Sequence, residues 1–213
     1  IDTGMSKKEV EKIVEVGNPI TRERQLIEMG NCVNCKSLDN RVSVFILIET
    51  LREMGDCPHD VYGVFTVQEE VGLRGAVVAA HGIDPEFGFG LDTTIAFDVP
   101  GAKEEEMVTK LGGGTGIKVY DGSVICDYRM VDYMKKTAKK HKIKWQPEAL
   151  PAGGTDTGGI QRMATKGAIC GCVSIPTRHI HQVIEMSDKD DIRGSIDLLR
   201  RCLEDLDKYK WAF

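Results

Sequence analysis

The chain has 213 residues, 41% of them hydrophobic, enough for one core or one core with a small appendage. A net charge of -5 with scattered basic residues gives no pull toward nucleic acid, and no apolar run approaches a membrane span. Seven cysteines without regular spacing, and no basic-then-apolar signal segment, suit a reducing cytosol, so a cytoplasmic location is expected.

In chain order, Ile1-Asp2-Thr3-Gly4 reads as the end of a strand already under way. Residues 6–16 have a cap residue and Val10, Ile13 and Val14 at helical spacing, ended by Gly17-Asn18-Pro19. Residues 19–29 are a polar connection. Cys32 and Cys35 form a CxxC, but no second CxxC or His pair follows at zinc-finger spacing, so a structural zinc is not expected. Residues 42–51 are apolar nearly all round, as a helix buried against a sheet should be, with Gly55 as its stop.

Residues 60–66 are β-branched and aromatic, with the look of a buried strand, and Glu69 and Glu70 follow it before a helix over 71–81. Adjacent carboxylates at the end of a buried strand repel unless a cation or a proton relieves them; a solvated pair on a loop is the plainer alternative. Residues 87–97 form a further strand carrying Asp92, with Asp98 behind it. The Gly-rich loop 103–114 lacks the Lys-Ser/Thr ending of a phosphate loop, which argues against nucleotide binding. Strands are expected at 116–120, 143–150 and 168–175, a basic amphipathic helix at 130–141, and a short helix opening at Gly153-Gly154-Thr155-Asp156. Ser187 with Asp190 makes a capping box for a last helix carrying Ile192, Ile196, Leu199, Leu203 and Leu206. The alternation predicts an α/β fold, a mixed sheet sandwiched by helices.

Asp39, Glu69, Glu70, Asp92 and His181 each fall at a strand end, in a strand, or at a helix start, where α/β sheets collect functional groups. Singly, Asp39 also fits a helix N-cap and His181 a surface-loop histidine. Together they offer carboxylates and an imidazole, donors suited to zinc, cobalt or manganese. A carboxylate-rich set also matches a two-metal site, with one carboxylate of the Glu pair left as general base.

Lys36-Ser37-Leu38-Asp39-Asn40-Arg41, Val67-Gln68-Glu69-Glu70-Val71-Gly72-Leu73-Arg74-Gly75, Asp92 to Pro100, Gly153-Gly154-Thr155-Asp156 and Arg178-His179-Ile180-His181 carry a family resemblance. The chain resembles the dinuclear metallo-aminopeptidases that assemble as tetrahedral dodecamers, whose members also bear the labels glutamyl or deblocking aminopeptidase and endoglucanase or cellulase. The resemblance implies a zinc-exopeptidase-like catalytic domain and two divalent metal ions, zinc or cobalt. It makes Asp39 the bridging ligand, Glu70 and His181 ligands of one metal, Asp92 a ligand of the other, Glu69 the general base, and Asp98 and Glu185 supporting residues. It implies hydrolysis of N-terminal residues from peptides by a metal-activated water, and a homo-oligomer in the full-length form. Residues 1–20 match the tail of an inserted dimerisation domain and 21–213 the C-terminal part of the catalytic domain, so the first strands, with an early His-x-Asp motif, are expected to be missing. His59, His81, His141 and His179 do not replace that motif's histidine, and the truncated chain is expected to be inactive or impaired. A glycoside hydrolase and a non-catalytic fragment are the alternatives; a sugar cleft would want aromatic platforms, and only 6% of the residues are aromatic. Arg178 is a candidate for favouring acidic substrates.

Overall fold

A computed structural model describes residues 2–212. After a short helix α1 (Lys7–Val10) come β1 (Ile27–Met29), β2 (Cys32–Cys35), α2 (Leu38–Glu53), α3 (Arg74–Ile83) and β3 (Phe87–Ile95). The chain continues through β4 (Thr115–Tyr120), α4 (Tyr128–His141), β5 (Trp145–Ala149), α5 (Asp156–Met163), β6 (Ile169–Arg178), β7 (Glu185–Asp188) and α6 (Lys189–Glu204). The sheet runs β1-β2-β7-β6-β4-β5, with β3 also paired to β6. It is mixed: β3 is parallel to β6 and β4 to β5, whereas β6 meets β4 and β7 antiparallel.

β6 organises the layers. Ile169–Arg178 is a run of small and branched apolar residues, buried over nearly its whole length, as a central strand covered on both faces must be. Val173 joins Met130, Met134 and Leu198 of α4 and α6, and Ile175 joins Val42, Ile46 and Ile196 of α2 and α6. Alternation sends Cys170 to the opposite face, against Ile160 of α5. The expected mixed α/β sandwich is therefore the observed fold. Because β3 and β6 run parallel, their carboxyl ends open on the same side, where such sheets place ligands.

Several elements differ from expectation. Residues 60–66 form no strand, and Tyr62 and Phe65 are more than half exposed. A strand needs a hydrogen-bonded neighbour, and β3 ladders only to β6 among the described residues. A cavity of about 600 Å³ is lined both by this segment, at Asp60, Val61, Tyr62, Val64, Phe65 and Thr66, and by residues 87–91 of β3, whose second edge is unpaired among the described residues. The first helix spans only Lys7–Val10 and buries no residue; without an apolar partner, so short a helix has little to extend it. Asp2 to Gly4 is not strand, and Ile1 lies outside the described residues. The 71–81 helix becomes a 3₁₀ turn (Glu69–Val71) followed by α3. Ser187 sits in β7, and Asp188 instead caps α6, its side chain accepting from the Asp190 N–H. The CxxC lies in β2, where residues three apart point to opposite faces and cannot share an ion.

Candidate metal centre

Asp39, Glu70 and His181 converge. Each offers one ligand atom, and the three atoms lie within 4.8 Å of one another. His181 Nε2 is 3.1 Å from Asp39 Oδ2 and 3.5 Å from Glu70 Oε2. Asp39 is held in the first turn of α2 with non-helical backbone (φ -76°, ψ 107°), and its peptide to Asn40 is cis. It is not the cap of that helix; Ser37 is, without a side-chain cap bond. Asn40 Nδ2 donates to the Leu91 carbonyl at 2.9 Å, which ties the start of α2 to β3 one residue before Asp92.

Glu185 anchors the cluster from below. Only 2% exposed, it accepts from the Asp39 N–H at 3.0 Å and from the His181 N–H at 2.8 Å, one carboxylate oxygen for each. One buried carboxylate thus fixes the backbone of two converging side chains. Ser37, Gln68, Leu73, His179 and His181 all have positive φ, near 60°. For non-glycine residues this is costly and is kept where neighbours over-determine the backbone, commonly at functional sites. Gly75 lets the Glu-pair loop fold this tightly: a Cβ there would meet Val67 N and O at 2.5 Å.

The electrostatics follow from crowded acids. Burial pushes the Glu69 carboxyl up to about 7, helped by Glu70, Asp156 and Asp39 and opposed by His181. Burial and then Asp39 raise Glu70. Asp92, in β3 and 7% exposed, is raised well above the carboxylate range by burial and then by Asp39 and Glu69. It stands outside the three-ligand cluster yet within electrostatic reach of it. Asp98 pairs with Arg178 through both carboxylate oxygens, at 2.8 Å each, and accepts from the Leu111 N–H at 3.1 Å. Arg178 is thereby engaged with Asp98 and is not a free receptor for acidic substrates. Sequence reasoning missed the Thr66 hydroxyl donating to Asp156 Oδ2 at 2.5 Å, which pins the chain three residues before Glu69 to the start of α5. The Gly-Gly-Thr-Asp motif was the available signal.

The whole arrangement has relatives. Residues 1–198 match the family described as M42 glutamyl aminopeptidase. This chain belongs to that family. It is 38% identical over 200 residues to a putative aminopeptidase of Acetivibrio thermocellus, covering 93% of this chain and 60% of that one. The solved aminopeptidase APDkam598 from the archaeon Desulfurococcus kamchatkensis superposes with a TM-score of 0.90 at 36% identity, covering 94% of this chain and 57% of that one. PhTET1-12s, solved as a dodecamer, superposes at 0.76 with 28% identity over 95% of this chain and 60% of that one. A Thermotoga maritima structure called an endoglucanase also superposes, at 0.74 with 26% identity over 93% of this chain and 58% of that one. The chain spans between 47% and 60% of the length of the curated relatives it matches.

Proposed function

We propose that this chain is the metal-binding part of an aminopeptidase that releases N-terminal residues from peptides. The observation that carries this reading is the convergence of Asp39, Glu70 and His181, with Glu69 beside them and raised to about 7. Two carboxylates facing each other repel, and a divalent cation relieves that cost better than either proton. The donor set fits zinc or cobalt: Asp39, Glu70 and His181 would hold one ion, and Asp92, within electrostatic reach of Asp39, would belong to a second. Ions bound there supply Lewis acidity toward a carbonyl oxygen and lower the pKa of a nearby water.

The chain's own residues do the rest. A carboxyl that titrates near neutrality is poised both to accept and to return a proton. Glu69 takes the proton of an attacking water at the site and passes it to the nitrogen of the departing amine. His181 and Glu70 are more than half exposed, so a chain end can reach them. Peptides are the substrates, the full-length protein is a homo-oligomer as PhTET1-12s is, and the compartment is the cytoplasm. Among the described residues no helix is long and apolar enough to cross a membrane.

A second reading, an impaired catalyst, is favoured because among the described residues Asp92 joins no group of three potential ligands, which leaves a second ion with little beyond Asp92 and Asp39 to hold it. Release of p-nitroaniline from leucyl, lysyl and glutamyl anilides, with and without cobalt, tests both. Slow, cobalt-dependent release abolished by EDTA is expected. No release at saturating cobalt would favour a non-catalytic piece, and hydrolysis of carboxymethyl cellulose would contradict the peptidase reading.

A further inference from the structure

Behind the site lies a buried ionic cluster that the proposed chemistry does not use. Lys118 of β4 is 1% exposed, an unusual place for a lysine. Its Nζ lies 2.5 Å from Glu148 Oε1 of β5 and 3.3 Å from Asp121 Oδ2. Glu148, fully buried, also accepts from the Thr94 hydroxyl at 2.7 Å, and Thr94 is two residues beyond Asp92 on β3. Asp121 accepts from the Ser123 N–H and hydroxyl, the Val124 N–H, and the Thr155 hydroxyl at 3.0 Å. Thr155 adjoins Asp156, which accepts from Thr66, three residues before Glu69.

These bonds make one continuous path from the Asp92 strand to the Glu69 loop, and its centre is a lysine. Thr155 shows where the path takes precedence over local structure. It is the N-cap residue of α5, where a threonine usually caps its own helix, yet its hydroxyl goes to Asp121 and makes no cap bond. Glycine permits the close approach this needs: a Cβ on Gly158 would meet Ser123 Oγ at 2.8 Å, and one on Gly122 would meet the Gly153 carbonyl at 2.5 Å.

We propose that Lys118 is a positioning residue: through Glu148 and Thr94 on one side, and Asp121, Thr155 and Asp156 on the other, it holds the Asp92 strand and the Glu69 loop in fixed register. The proposal rests on the reading of Asp92 and Glu69 as site residues, but its test does not require activity. Lys118→Met alone leaves Glu148 and Asp121 buried without their cation and endangers folding. Thr155→Val is close to isosteric, keeps every ion pair, and removes the direct Thr155 hydroxyl bond to Asp121, leaving the Ser123 hydroxyl as a second bridge from Asp121 to the Thr155 N–H at 3.2 Å. Amide hydrogen exchange, read segment by segment on the 213-residue chain, is the measurement. Thr155→Val should speed exchange at 67–73 at least tenfold and leave 171–175 unchanged, and Thr155→Ser should restore it. The charge-balanced pair Lys118→Met with Glu148→Gln should speed exchange at 67–73 and at 92–94 as well. Wild-type exchange at 67–73 in both folded variants would overturn the proposal. So would a Thr155→Val chain that does not fold, since the cluster would then hold the whole domain rather than the site. Accelerated exchange with anilide turnover unchanged would keep the mechanical link and remove the catalytic reading instead.

Discussion

Among single residues, the carboxylates at the site share too small a space. Glu69 titrates near 7 in the folded chain because burial and its acidic neighbours penalise the anion. Its folded pKa lies above the usual 4.5, so the folded state binds the proton more tightly than the unfolded state does. This contribution to stability is present below about pH 4.5 and is lost as pH rises through about 7. Glu70 and Asp92 are raised as well and act in the same direction. Thermal melts of the metal-free chain should therefore show this contribution falling between about pH 4.5 and 7. Cobalt should raise Tm more at pH 7.5 than at 5.5, because bound carboxylates must be deprotonated. An equal cobalt shift at both pH values would argue against carboxylate ligation. Asp39 and His181 were legible as candidates from residue type and position, and the resemblance implied a supporting role for Glu185, but not that it clamps the backbone of both. Its two partners are 146 and 4 residues away, and no local pattern encodes such a pairing.

Among the elements, β6 and α6 were the most legible, because continuous burial and a 3–4 apolar step each leave a plain sequence pattern. Residues 60–66 misled for a physical reason. Their composition is that of a strand, but a strand exists only with a neighbour, and they share only the lining of a cavity with β3, whose second edge is unpaired among the described residues. The tight loop from Val67 to Gly75 was unreadable in conformation, since two non-glycine residues in it, Gln68 and Leu73, take positive φ. Gly75→Ala tests the loop. Its Cβ would sit 2.5 Å from two backbone atoms of Val67, so the variant should lose about 1–3 kcal/mol and weaken metal binding with it. Chemical denaturation and cobalt titration check the two effects, and an unperturbed variant would mean the loop is looser than described. On β7, Glu185→Ala removes the acceptor of two backbone N–H groups and should weaken metal binding about 10–100-fold, as losses among groups that support ligands do.

For the whole molecule, α2 and the segment 60–67 contribute several exposed apolar side chains. Val44, Phe45 and Ile48 of α2, with Tyr62, Val64, Phe65 and Val67, are each at least 39% exposed. Surfaces of this kind favour association. Light scattering at increasing concentration should show the 213-residue chain self-associating, and a strictly monomeric chain would contradict this. The fold class was legible in the alternation of elements, and uncovered apolar helix faces were an expectation of the family resemblance, whereas the particular side chains left exposed were not legible, because exposure depends on which neighbours are present.

If Asp39, Glu70 and His181 hold a divalent cation and Glu69 serves as a base without holding it, calorimetric titration of cobalt into the wild-type chain, Glu69→Gln and Glu70→Gln separates the two roles. One tight site is expected in the wild type, with little change in Glu69→Gln and at least a tenfold loss of affinity in Glu70→Gln. Equal losses in both variants, or tight binding that survives Glu70→Gln, would contradict that assignment.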